Sequence, residues 1–319
     1  MSRPAAIPNV FHFVFGLREQ TEPFHLMHYV CLRSCIEVMR PDAVHFHYHN
    51  EPYGPLWQEI RPHLELRRID PRTPVAGHTY QDPGMEAFRY AHAADFLRVE
   101  ILLREGGIYA DMDSLFLRPF PADWSAHPCI MAPEKPPSGA NGSLCNALIA
   151  AQPGSEFCRL WLEEMDAAFD GSWSNHSTLL PYRLSQAHPE LIHIEPEASF
   201  FSYDWTAARI DDLFLRDALP PDEARSLHLW AHLWFDSGRS DFSLFSGDLL
   251  TIDYLAFSRS SYAQLARRFM PPGAKPSRLR HGLQTARLAG RRIRKAMRTV
   301  PVKTARRVWN KAVRTLSQS

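Results

Sequence analysis

His92 to Ser114 reads HAADFLRVEILLREGGIYADMDS, and the fold follows from how its parts succeed one another. From about Ala91 to Arg104 the apolar positions recur at helical spacing. Gly106-Gly107 ends that run, since glycine enters a left-handed turn without steric strain. Ile108-Tyr109-Ala110 then reads as a short strand leading into Asp111-Met112-Asp113. Side chains two apart on an extended segment point the same way, so both carboxylates are expected to face one cleft. That cleft lies beyond the carboxyl end of a strand, where open α/β sheets bind ligands. Two adjacent carboxylates repel unless a cation lies between them. A hard divalent ion, Mn2+ or Mg2+, suits the pair, completes its shell with pyrophosphate oxygens and stabilises charge on a departing diphosphate.

Working outward, strand-like and helix-like segments alternate. Ile7 to Phe15 (IPNVFHFVF) reads as a first buried strand, residues 24–39 as a helix stopped by Pro41, and Val44 to His49 as a second strand. A helix around Leu56 to Ile60 and a strand at Glu65 to Ile69 follow. This order predicts a largely parallel sheet covered on both faces. Residues 70–85 and 133–143 are rich in Pro, Gly and polar residues and read as loops, with a helix from Ser155 to Phe169 beyond them.

At 319 residues, 45% hydrophobic and 22% charged, the chain has the composition of a globular protein with a sizeable core. No apolar run reaches the ~18 residues of a membrane span, and the N-terminus lacks the apolar core of a secretory signal. Cys31, Cys35, Cys129, Cys145 and Cys158 contain no CxxC pair, so all five are read as reduced thiols in a cytosolic setting. The net charge of +1 conceals an asymmetry: from Ala274 onward there are 14 Lys and Arg and no acidic residue. The rest holds 22 basic against 35 acidic residues, a net of −13. A domain boundary is placed at the Pro271-Pro272-Gly273 break, giving a body over 1–272 and a basic tail over 273–319.

The block from His92 to Ser114 resembles the central motif of glycosyltransferases with a DxD sugar-binding region. That family includes yeast outer-chain mannosyltransferases, α-1,4-galactosyltransferases and bacterial capsule and lipopolysaccharide enzymes. Ile7-Pro8-Asn9-Val10-Phe11-His12-Phe13 is similar to the family's first strand, with Phe15 where the family usually has Trp. Asn50-Glu51, the stretch Leu144 to Ile149 with Asn146, and Leu227-His228-Leu229-Trp230 with Trp234 resemble later family segments, so the likeness spans about residues 7–236. It implies an α/β, Rossmann-like fold of the GT-A type for nucleotide-diphospho-sugar transferases, here with a basic helical C-terminal extension. It further implies a retaining hexosyl transfer from a UDP- or GDP-sugar to a glycan or lipid-linked acceptor, in surface polysaccharide synthesis. Asp111, Asp113 and Arg98 would act at the reacting centre. Phe15, Asn50, Asp95, Arg98, Tyr109, Asp111 and Asn146 would hold the donor, and Asp111, Asp113 and His228 the metal.

Other constellations carry less. His45, His47 and His49 alternate along one strand face, but no carboxylate or Cys stands at ligand spacing, so hydrogen-bonded histidines near the sheet edge are favoured. There is no GxxxxGK[ST] loop and no GxSxG elbow. Competing functions are a metal-dependent nucleotide-sugar pyrophosphatase and a non-catalytic glycan-binding protein on a decayed transferase fold. In the tail, Leu279, Leu283, Ala286, Gly290, Ile293 and Met297 form one apolar face at helical spacing, and Val302, Ala305, Trp309, Ala312 and Leu316 a second. Basic residues fill the other sides, which predicts reversible docking on an anionic membrane surface rather than on nucleic acid. The expected location is cytoplasmic, peripheral on the inner face of the membrane.

Overall fold

Val10–Phe15 (β1) is apolar and aromatic with its four inner positions buried, and a seven-stranded sheet grows from both of its edges. The computed structural model describes residues 6–70, 75, 77, 78, 80, 83–231 and 249–299, excepting the side chains of residues 83 and 291–299. On one side of β1 lie Ala43–Tyr48 (β2) and Glu65–Arg68 (β3), and on the other Gly107–Ala110 (β4), all mutually parallel. Leu26–Ser34 (α1) and Arg89–Glu105 (α2) are the longer helices of this half. The sheet order is β3-β2-β1-β4-β7-β6-β8, built with Cys129–Pro133 (β6), Leu144–Ala151 (β7) and His193–Ile194 (β8).

The sheet is parallel-dominant but mixed, because β7 runs antiparallel to both β4 and β6. The Pro/Gly/Ser loop at 133–143 joins β6 to β7 directly, and a loop that short permits only antiparallel neighbours. The α/β architecture implied by the resemblance is thus present. A separate two-stranded ladder pairs Ser114–Phe116 (β5) with Ser226–His228 (β9), opposing Ser114 to His228. The core between the sheet and its helices contains Phe96, Val99 and Leu102 of α2, Tyr109 of β4, and Phe157 and Trp161 of Glu156–Ala168 (α3). All five cysteines are free and buried.

Among the described residues the chain forms two compact units, one of 6–231 with 258–274 and one of 249–257 with 275–299. In the second, Arg278–Thr299 (α4) is tied at its start to the helix Ile252–Phe257. Asp253 accepts from the Ser277 backbone N–H at 2.6 Å and from Arg280 Nε at 2.7 Å. Leu279 and Leu283 of the expected apolar face are exposed on α4, at 74% and 60%. The side chains of Ile293 and Met297, the second face from Val302 to Leu316, and Trp234 lie outside the described residues. No helix among the described residues is long and apolar enough to cross a membrane.

Candidate active site

The turn from α2 into β4 sets the site. Gly106 and Gly107 adopt φ of 66° and 98°, conformations that side-chain-bearing residues rarely take. β4 ends at Ala110, and Asp111 to Ser114 form a turn closed by the Ser114 N–H donating to Asp111 O at 3.1 Å. The aspartates therefore converge because the chain turns, and not because they alternate along a strand as the sequence spacing suggested. The β5–β9 ladder brings His228 beside them. Its Nε2 lies 3.1 Å from Asp113 Oδ1 and 3.9 Å from Asp111 Oδ2. Trp230 follows with a left-handed φ of 57°, and the next N–H, that of Ala231, donates to Asp113 Oδ2 at 2.6 Å. A non-glycine residue held in that region marks a place where the surroundings over-determine the backbone.

Behind the pair, α2 supplies Asp95 and Arg98 one turn apart, joined at 3.1 Å. The Arg98 guanidinium donates to Asn146 O at 2.7 Å and Ala94 O at 3.2 Å, reaches Asp111 Oδ1 at 3.4 Å, and lies over the Tyr109 ring. Tyr109 Oη donates to the same Asp111 oxygen at 2.6 Å. Asn146 Nδ2 and His176 Nε2 meet the two oxygens of Asp95 at 2.8 and 3.1 Å. Seven of the expected residues, Asp95, Arg98, Tyr109, Asp111, Asp113, Asn146 and His228, are thus one connected polar cluster. Phe15 closes β1 and Asn50 lies two residues beyond β2, and no hydrogen bond among the described residues joins Asn50 to that cluster. Phe15 packs edge-on against Phe24 and His28, and Asn50 Nδ2 donates to Gly16 O at 3.1 Å.

The electrostatics follow from burial and charge together. Burial disfavours charge on Asp95, yet Arg98 and His176 outweigh it and hold that carboxyl below its ordinary range. Burial pushes Asp111 the other way, upward, with Arg98 opposing and Asp113 adding to the rise. Burial works against a proton on His228, but Asp113, Asp111 and Glu134 outweigh it and raise the imidazole. Glu134 and His176 are site neighbours that the sequence reading missed. Glu134 follows β6 in a stretch read as flexible loop, where it accepts from Ser143 Oγ at 2.9 Å. His176 enters from the helical segment Asn175–Leu179, 81 residues away in sequence from its partner Asp95, a separation no local pattern encodes.

The cluster fits a divalent cation. Asp111, Asp113 and His228 each offer a ligand atom, and these lie within 4.8 Å of one another. His228 Nδ1 is buried with no hydrogen-bond partner among the described residues. Two carboxylates and an imidazole suit Mn2+ as well as Mg2+.

Residues 45–131, a span that includes Asp95, Arg98, Asp111 and Asp113, match the family described as glycosyltransferase sugar-binding region containing DXD motif. The chain is 32% identical over 211 residues to Glucan organizing enzyme 1 of Cryptococcus neoformans var. grubii, an overlap of 62% of this chain and 55% of that protein. It therefore spans about half the length of that relative. Among solved structures it is similar to the PaToxG glycosyltransferase, with 16% identity over 83% of this chain and 88% of the other at a TM-score of 0.39. It is also similar to the galactosyltransferase LgtC in complex with donor and acceptor sugar analogs, with 13% identity over 76% and 96% at a TM-score of 0.42.

Proposed function

We propose that the protein is a metal-dependent glycosyltransferase that moves a hexose from a UDP- or GDP-sugar to a glycan or lipid-linked acceptor with retention of configuration. The observation that carries this reading is the convergence of Asp111, Asp113 and His228 in front of the buried Asp95–Arg98 pair. Asp111, Asp113 and His228 would hold Mn2+ or Mg2+, which when bound neutralises charge on the diphosphate leaving group. Asp95 and Asn146 would meet donor sugar hydroxyls, a role supported by the bonds from Asn146 and His176 that fix the Asp95 carboxylate. Arg98 spends donors on Asn146, Ala94, Asp95 and Asp111, so it serves first as a positioning residue whose charge favours the ionised form of both carboxylates.

Transfer with retention needs the acceptor oxygen to bond the anomeric carbon on the face from which the diphosphate departs. The bond from that carbon to the phosphate oxygen breaks, and the acceptor proton passes to the departing phosphate. No protein nucleophile is required by this route. Phe15 and Asn50 are assigned to the base end of the donor. The catalytic domain is assigned to residues 1–272 and the basic tail at 273–319 to an anionic membrane surface, on the cytoplasmic side where a lipid-linked acceptor would be presented.

The test is a screen of UDP- and GDP-sugars for a rise in melting temperature that requires Mn2+ or Mg2+, followed by transfer assays with the donors that pass. One nucleotide series should stabilise the protein only with metal, and turnover should increase when an acceptor glycan is added. Hydrolysis that no acceptor accelerates would favour a pyrophosphatase instead.

A further inference from the structure

On the sheet face beneath α2 lie three imidazoles that the proposed transfer does not use. His12 on β1 stands opposite His45 on β2, and His47 follows two residues later on the same face. All three are buried, and one ring nitrogen from each lies within 4.8 Å of the others. His12 Nε2 is 2.9 Å from the carbonyl oxygen of Gly106. That carbonyl can only accept, so the proton sits on Nε2 and the Nδ1 lone pair is directed to His47 Nε2, 3.1 Å away. Two nitrogens on one tetrahedral zinc ion, each about 2.0–2.1 Å from it, are separated by about 3.3 Å. The observed separation therefore suits a shared ion as well as a hydrogen bond.

The third ring points to the ion. His45 Nδ1 is buried and makes no hydrogen bond among the described residues, although Glu105 Oε2 is 3.4 Å from it. Its other nitrogen, Nε2, lies 3.2 Å from Glu65 Oε2, a carboxylate placed to orient a metal-bound imidazole once the ring proton resides on Nε2. Arg67 is the opposing charge. Without an ion its Nη2 donates to His45 Nε2 at 2.9 Å, so His45 Nδ1 carries the ring proton, and its Nη1 reaches Glu105 at 3.0 Å. Ion binding through Nδ1 displaces that proton and requires the Arg67 side chain, 38% exposed, to move off Nε2. Glu65 and Glu105 face Arg67, and Arg104 Nη2 pairs with the other Glu105 oxygen at 2.7 Å, while α2 ends at Glu105 with the negative pole of its dipole.

We infer that His12, His45, His47 and Glu105 bind a zinc ion at a structural site separate from the Asp111–Asp113 pair. Three imidazoles and one carboxylate favour a borderline transition ion over the hard Mg2+ or Mn2+. The ion ties β1 and β2 to the C-terminal end of α2, the helix that also carries Asp95 and Arg98. It thereby fixes the seat of the catalytic cluster without touching substrate.

The experiment uses the full-length untagged protein carrying Asp111→Asn and Asp113→Asn, which removes the carboxylate pair, stripped of metal and titrated with Zn2+, Co2+ and Mn2+ separately. The expected result is one equivalent of tightly bound Zn2+ that raises the melting temperature, with Mn2+ giving no comparable rise. Co2+ should show the intense visible absorption of four-coordinate nitrogen-rich ligation. Adding His45→Ala should weaken Zn2+ binding by about tenfold or more and abolish that absorption. Should His45→Ala fail to fold, Glu105→Gln at the helix end makes the same comparison with less disturbance of the sheet. Absence of a Zn2+ equivalent in the doubly substituted protein would overturn the inference. So would a Zn2+ equivalent whose affinity and cobalt spectrum ignore both substitutions. Either failure leaves the transferase assignment standing, because the Asp111–Asp113 pair is absent from the assay.

Discussion

At the residue scale, Asp113 is held by the His228 imidazole and the Ala231 N–H. Asp113→Asn keeps the shape but removes the charge a cation needs. Donor-dependent turnover is expected to fall by about 100-fold or more, an effect of the size seen when a single transition-state contact is lost. Far-UV circular dichroism should remain that of the folded protein, and wild-type turnover in this variant would refute the metal assignment. Arg98 makes a different prediction, because the residue is only 5% exposed and its guanidinium bonds the Ala94 and Asn146 carbonyls and Asp95. Arg98→Lys keeps the charge but loses the planar fork and the stacking on Tyr109. Each buried acceptor left unpaired costs about 1–3 kcal/mol, so the melting temperature should drop together with kcat/KM. A kinetic defect with an unchanged melting temperature would instead mean that Arg98 is free to meet the donor. Sequence spacing alone identified Arg98 as a neighbour of Asp95 but could not reveal that its donors are already used.

At the element scale, the passage from α2 through Gly106-Gly107 into β4 was the part of the fold most legible in the sequence, because each piece has a local signature. A helical period, two glycines and a short apolar run are all read within about twenty residues. The antiparallel β7 was not legible, since a buried strand looks the same whichever way it runs and only the 133–143 connection decides. The pairing of β5 with β9 was equally hidden, because it joins residues more than a hundred positions apart. His228 was reached only through family likeness, and Glu134 and His176 not at all. The glycines offer a direct test of the local part. A Cβ on Gly107 would sit 2.6 Å from Val10 O and 3.0 Å from His12 Nε2, at a φ of 98°. Gly107→Ala should therefore lower stability by about 1–3 kcal/mol or more, read as a lower urea midpoint. Gly282→Ala in α4 meets nothing within 4 Å, and there the substitution should stabilise the helix by about 0.5–1 kcal/mol. Equal effects at the two positions would remove the conformational argument.

For the molecule as a whole, buried histidines and the division of charge govern the response to solution conditions. Burial is the leading cause holding His12 and His92 at about 4 and His28 and His47 at about 3, below the ordinary 6.5. The unfolded chain then binds protons that the folded chain refuses, so stability is full above about pH 6.5 and declines as pH falls toward 4. Each imidazole contributes up to about 1.4 kcal/mol per pH unit inside that window. Urea midpoints measured with chelator present should fall steeply between pH 7 and 5, and a flat profile would contradict neutral burial of these rings. The tail responds to salt and lipid. Its 14 Lys and Arg without one acidic residue contrast with a remainder at −13, so attraction to an anionic surface is concentrated in one segment. On α4, Leu279 and Leu283 are exposed beside Arg278, Arg280 and Arg287, apolar and basic groups together on one helix. Each basic residue near an anionic leaflet contributes about 1 kcal/mol, and several suffice for binding without a spanning segment. Shielding shortens that attraction to about 10 Å at 0.1 M salt. The protein should therefore sediment with phosphatidylserine-containing liposomes at low salt, remain in the supernatant with neutral ones, and be released as salt rises. Truncation after Gly273 should abolish sedimentation while leaving turnover of a soluble acceptor analogue unchanged. Intact protein that stays in the supernatant with anionic liposomes at low salt would show that the tail is no membrane anchor.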